Sequence, residues 1–180
     1  RRSLDQGATW GTDTRIATGG HIHFTDPIVA VGAHVYVVYI GDARNATLFW
    51  GQTRVGNIYF LHSGDGGTTW DAPCRLTTVR DVFRLSMDVS GSRVDVAWSD
   101  ASTLTGGGIH YIGSPSRGVC GSWSADVNLG GVGVLGGEGA GRPQVASFGS
   151  YVHIIWEAEV PTRTCINSAI CPDNYYVRST

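Results

Sequence analysis

The sequence contains no lysine: all 13 of its basic residues are arginine, set against 15 Asp and Glu, for a formal net charge of −2. Such a chain lacks the basic surface that releases counterions from a polyanion, so no nucleic-acid partner is expected. Only 16% of the residues are charged, too few for a charge-solvated disordered tail. Long apolar runs are missing as well. The longest, such as Val35–Ile40, have strand length and fall short of the roughly 18 to 20 residues of a membrane span. The opening residues Arg1–Gly7 lack the apolar core and cleavage site of a signal peptide, so export must be argued from other features. There is no G-x-S-x-G motif and no Cys/His nucleophile arrangement, and Gly64-Asp65-Gly66-Gly67 lacks the spaced carboxylates of an EF-hand loop.

What is present is a 180-residue chain, 42% hydrophobic, with 26 glycines and four cysteines. An even cysteine count suits an oxidising compartment, which makes Cys165, Cys171, Cys74 and Cys120 disulfide candidates with three possible pairings. The expected location is extracellular or at the cell surface.

The strongest signal is an internal repeat. Pro27–Tyr39, Ser86–Trp98 and Pro143–Trp156 each read as two short strands around a tight glycine turn, because β-branched residues alternate with small or polar ones on either side. The turn glycines Gly32, Gly91 and Gly149 are 59 and 58 residues apart, and so are the closing aromatics Tyr39, Trp98 and Trp156. A third strand follows each hairpin, at Ile58–His62, Ile109–Gly113 and Asn174–Arg178, and runs into Ser63, Ser114 or Ser179. Ser3-Leu-Asp5-Gln-Gly7-Ala-Thr9-Trp10 and Ser63-Gly-Asp65-Gly-Gly67-Thr-Thr69-Trp70 share the pattern S-x-D-x-G-x-T-W. The aspartate can accept bonds from amides of its own turn, the glycine can take positive φ, and the tryptophan can fold back over the hairpin. A fourth strand then begins near Cys74. A four-stranded antiparallel unit recurring about every 60 residues is the unit of a β-propeller blade.

This pattern after an aromatic strand resembles the Asp box, or BNR repeat, of sialidases and related propellers. Ser114–Trp123 resembles a degenerate copy that keeps Ser114 and Trp123 and lacks the aspartate. The resemblance implies an all-β fold of about three blade-lengths from a six-bladed sialidase-type propeller, one partial domain over residues 1–180 with units near 3–62, 63–113 and 114–178. It also implies that the remaining blades of the same propeller are partners. The five tryptophans at repeat positions, Trp10, Trp70, Trp98, Trp123 and Trp156, are expected in the core.

In such a blade the S-x-D-x-G-x-T-W turns lie on one face, and the segments Gly41–Asn57, Val79–Leu85, Ser99–Gly108, Gly130–Arg142 and Glu157–Asn174 are expected as long loops on the other. Long loops on a rigid scaffold are where binding usually resides. For sialidases the resemblance implies an arginine cluster on the sugar carboxylate, an Asp acid/base and a Tyr nucleophile assisted by a Glu. The Arg-Ile-Pro motif of that family is missing, with Arg15-Ile16-Ala17 a partial echo. Arg142, Glu138, Glu157, Arg80, Asp81 and Trp50 are the ligand-binding candidates: arginine for bidentate recognition of an acid, Trp50 for stacking on a sugar ring. Arg84 joins Arg80 and Asp81 at a blade junction, where ion pairing is an equal reading.

Gly131–Gly136 satisfies G-x-G-x-x-G without a following helix, and His21-Ile-His23 with Asp26 lacks a third convincing ligand. No cofactor and no metal is expected. Asn45-Ala46-Thr47 is a glycosylation sequon. The expected function is a segment of an exported propeller that binds a glycan or another extracellular ligand. An exo-acting hydrolase with key residues outside this chain, and a protein-binding scaffold, are the alternatives.

Overall fold

The computed structural model describes residues 1–18, 27–48, 51–78, 82–100, 108–130, 141–159 and 172–179. They form eleven strands: β1 (Ile28–Val31), β2 (His34–Leu48), β3 (Gly51–Ser63), β4 (Cys74–Arg75), β5 (Val82–Ser90), β6 (Arg93–Asp100), β7 (Gly108–Ser114), β8 (Val127–Gly130), β9 (Gly141–Phe148), β10 (Tyr151–Glu159) and β11 (Pro172–Arg178). Every pairing is antiparallel. β1–β4 make one four-stranded blade, β5–β8 a second, and β9–β11 three strands of a third. A single bridge, Gly56↔Val82, joins the first two at their edges. The fold is all-β, built from repeated antiparallel blades of the β-propeller type. Among the described residues no helix is long and apolar enough to cross a membrane.

The hairpin glycines take the left-handed conformation their turns require, with φ of 61° at Gly32, 63° at Gly91 and 60° at Gly149. Strand alternation then gives every blade two working faces. Tyr36, Val38, Ile40 and Phe60 of the first blade meet Val94, Val96, Trp98 and Ile112 of the second in one apolar seam. Ala97 and Ile109, on the other face of the second blade, meet Val145, Val152, Ile154 and Trp156 of the third. Near the inner strands this second seam is polar. The amides of Val145, Ser147 and Gly149 donate to Ser86 Oγ, Asp88 Oδ2 and Ser90 Oγ at 3.0, 2.6 and 3.3 Å, each pair 59 residues apart.

The S-x-D-x-G-x-T-W turns are held as their residue types dictate. Asp5 Oδ1 accepts from the Thr9 amide at 2.8 Å and Asp5 Oδ2 from the Thr9 hydroxyl, while Ser3 Oγ accepts from the Gly7 amide at 2.7 Å. Asp65, Thr69, Ser63 and Gly67 repeat the arrangement. These bonds, first those from the threonine, hold the Asp5 carboxyl down at about 2 and push that of Asp65 lower still. In the third turn Ser114 Oγ still accepts from the Gly118 amide at 3.1 Å, and the fourth residue, Arg117, keeps the φ of 55° seen at Gln6. Ser116 stands at the aspartate position, and Cys120 is bonded to Cys74 of the preceding blade. A covalent link across the seam occurs where the carboxylate bonds are missing. Cys165 and Cys171 lie outside the described residues.

Two expectations need correction. Gly41–Asn57 is not a loop: pairing of β2 with β3 continues to Leu48↔Gly51 through a bulge between Gly41 and Arg44, where Asp42 takes a φ of 51°. Nor are all five repeat tryptophans core residues. Trp98 and Trp156 are buried, Trp70 and Trp123 are half-buried, and Trp10 is 59% exposed. The tryptophans of the first two turns fold over their own glycines, Gly7 and Gly67, at the blade surface, where less covers them.

Candidate functional site

At the face opposite those turns, the inner strands begin with irregular pairing. Between Val82 and Arg84 the register of β5 with β6 shifts, and between Ile155 and Glu157 that of β10 with β9 does the same. Bulges re-aim side chains at the ends of sheets. Arg84 and Arg142 stand at the same place in their repeats, seven residues before Gly91 and Gly149. Arg84 is half-buried between blades and Arg142 is exposed. Arg142 holds a φ of 55°, a left-handed conformation that costs a residue with a Cβ about 1 kcal/mol or more. Glu157 is exposed on β10 and paired in register with Gly141, so the structure brings it beside Arg142. It lies in a strand, not in the expected loop, because β10 runs on to Glu159. Trp50, Arg80, Asp81 and Glu138, together with His21, His23 and Asp26, lie outside the described residues.

Aromatic pairs recur at this end of each blade. Tyr39 stacks on Tyr59, Trp98 on His110 and Trp156 on Tyr175, with ring centroids 5.5, 5.5 and 5.8 Å apart. Sequence reasoning found the first member of each pair and missed the second, although Tyr59, His110 and Tyr175 all sit four residues before the third-strand serine. Two of these partners hold carboxylates. Tyr59 donates to Asp42 Oδ2 at 2.5 Å, which raises the tyrosine pKa, and Arg75 approaches the same carboxylate at 3.7 Å. His110 Nδ1 lies 2.8 Å from Asp126, which fixes Nδ1 as the protonated nitrogen and leaves Nε2 buried without a hydrogen-bond partner among the described residues. Gly41 makes the first cluster possible, since a Cβ there would strike the Tyr59 ring at 2.6 Å.

A third cluster lies within the second seam. Asp95, fully buried, accepts from Tyr111 at 2.6 Å, from Arg93 Nε at 2.9 Å and from Ser147 of the third blade at 2.7 Å. Burial first, then the bond to Asp95, pushes the Tyr111 phenol up to about 12. A tyrosine so protected, in a seam, is a structural group. Among the described residues no cluster of His, Cys, Asp and Glu has the arrangement of a metal site.

The fold can now be compared with known proteins. No family model matches the sequence, and no curated protein matches it. Solved structures do. The alpha-L-arabinofuranosidase Arb93A from Fusarium graminearum, in complex with an iminosugar inhibitor, is 15% identical over 81% of this chain and 41% of that one, with a TM-score of 0.50. The GH93 alpha-L-arabinofuranosidase of the same organism with arabinobiose gives 15% identity, the same coverage and a TM-score of 0.49. Zg3597, a family 117 glycoside hydrolase of the marine bacterium Zobellia galactanivorans, is 14% identical over 86% of this chain and 51% of that one, with a TM-score of 0.48. The chain therefore spans about half or less of the structures it matches.

Proposed function

We propose that this chain is part of an exported propeller of the sialidase-like Asp-box kind that binds carbohydrate on the face opposite its S-x-D-x-G-x-T-W turns. The observation that carries the reading is the placement of Arg142: exposed at the mouth of an inner strand, in a left-handed conformation, at the repeat position of Arg84 and beside Glu157. A planar guanidinium group at the start of an inner strand suits a carboxylate or hydroxyl-rich ligand. The likeness in fold to an arabinofuranosidase solved with an iminosugar inhibitor points to the same ligand class. The Cys74–Cys120 bridge supports an oxidising compartment.

The ring needs more blades than these. Val38 and Ala97 occupy one repeat position, Phe60 and Tyr111 another, and each is covered by the following blade. Their counterparts in the third blade, Ile155 and Tyr176, are 50% and 61% exposed and match a further blade of the same design. A hydrolase whose remaining residues lie on such blades is the second reading, favoured by the same structural likeness.

A glycan array of acidic and arabinose-containing oligosaccharides, probed with the protein and with Arg142→Ala, tests the first reading. Selective binding lost in the variant supports it, and a folded protein that binds no glycan counts against it. Release of fluorophore from an arabinofuranoside or a sialoside decides the second.

A further inference from the structure

The first seam opens, on the side of the S-x-D-x-G-x-T-W turns, into a groove of about 660 Å³. Its walls are apolar: Phe60, Ala72, the Cys74–Cys120 bridge, Pro115 and Val119. Gly118 lies so close to the Phe60 ring that a Cβ would overlap it, so the turn forms a tight wall. Five polar side chains enter this lining: Ser92, Ser116, Arg117, Asp71 and His62. Arg117 is exposed and has no carboxylate partner among the described residues. Asp71 accepts from His62 Nδ1 at 2.8 Å, and His62 Nε2 lies 2.9 Å from Nδ1 of His34. Behind them Tyr36 is fully buried, its ring 6.3 Å from that of Phe60 and 5.2 Å from that of His62. Burial raises the pKa of its phenol, while Arg117, by its charge and by an interaction with the hydroxyl too poorly aligned for a good hydrogen bond, acts the other way.

We propose that this groove is a second ligand site, on the opposite face from the sugar-binding mouth, for a small organic anion: a carboxylate joined to an aryl or aliphatic body. Arg117 pairs with the carboxylate, and the apolar body lies against Phe60 and the disulfide. Asp71, His62 and His34 form a relay that balances the charge. A carboxylate only accepts, so Asp71 takes the Nδ1–H of His62, and neutral His62 then accepts at Nε2 from Nδ1–H of His34. With the ligand absent, Arg117 and Asp71 cancel. His34 and Tyr36 from β2, Asp71 from the segment after β3 and Arg117 from the turn after β7 are the charged and titratable groups at this relay.

Titration of the protein with benzoate and with its neutral isostere benzamide, followed by amide NMR shifts, tests the site. Shifts should localise to Arg117–Val119 and Ala72. Benzoate should bind about tenfold more tightly than benzamide, as an arginine–carboxylate pair requires. Arg117→Gln is the informative variant, because Gln6 holds the same turn position at the same φ of 55°. It should retain the fold and abolish the preference for benzoate. Equal binding of the two probes, shifts elsewhere or an unchanged preference in Arg117→Gln would each overturn the proposal.

Discussion

At the first seam the inner strand presents Pro27, Val29 and Val31; at the same repeat positions the second seam presents Ser86, Asp88 and Ser90. Dispersion and burial hold the first seam together, reinforced by the Cys74–Cys120 bridge. The second is held near its inner edge by side chains that take up the amides of β9, and by Asp95 reaching Ser147. One blade geometry accommodates both because only the backbone spacing is common to them. The apolar seam gains burial without fixing which residue faces which. The polar seam fixes register, since a slip would strand Asp88 and Asp95 without partners in a low-dielectric interior.

The sharpest way to break the first seam is Trp98→Ala. Trp98 is fully buried, stacks on His110 and lies in the first core cluster, so the variant should lose about 3 to 5 kcal/mol in chemical denaturation. Asp95→Ala attacks the second seam by removing the acceptor shared by Arg93, Tyr111 and Ser147, leaving only the Arg93–Tyr111 bond among them, at a cost of about 3 kcal/mol. Hydrogen exchange should show the loss concentrated in β6 and β9. Replacing Cys74 and Cys120 by serine should remove about 2 to 4 kcal/mol, read as a lower Tm under non-reducing conditions. The smallest effect belongs to the turns outside both seams. The Asp5 carboxyl is held at about 2, below its ordinary 3.8, and Asp65 lower still, so their contribution is complete above the ordinary value. It is lost as pH falls below about 4, because the unfolded chain binds the proton first. Asp65→Asn should flatten that acid slope in denaturant titrations.

The 59-residue glycine and aromatic spacing made the blades legible, as did the S-x-D-x-G-x-T-W pattern for the turns, because local residue types dictate both. The tryptophan environments were not legible. Trp10 and Trp98 look alike as repeat aromatics, but one caps a surface turn and the other fills a seam, a difference set by the neighbouring blade. The β2–β3 arm was hidden by glycine and polar residues that read as loop and instead continue a ladder through a bulge. Of the candidate site, the start of an inner strand at Arg142 was legible, while the strand position of Glu157 was not, because β10 runs past the expected loop boundary. The stacked partners and the histidine relay were not, since His34, His62 and Asp71 are brought together only by cross-strand pairing and the turn that follows it.

The central claim is that the mouth bearing Arg142 is the carbohydrate face and the turn side is not. One glycan array carrying the wild-type protein, Arg142→Ala and Arg117→Gln tests it directly. The account predicts selective glycan binding that Arg142→Ala loses and Arg117→Gln keeps. Glycan binding that survives Arg142→Ala and disappears in Arg117→Gln would contradict it.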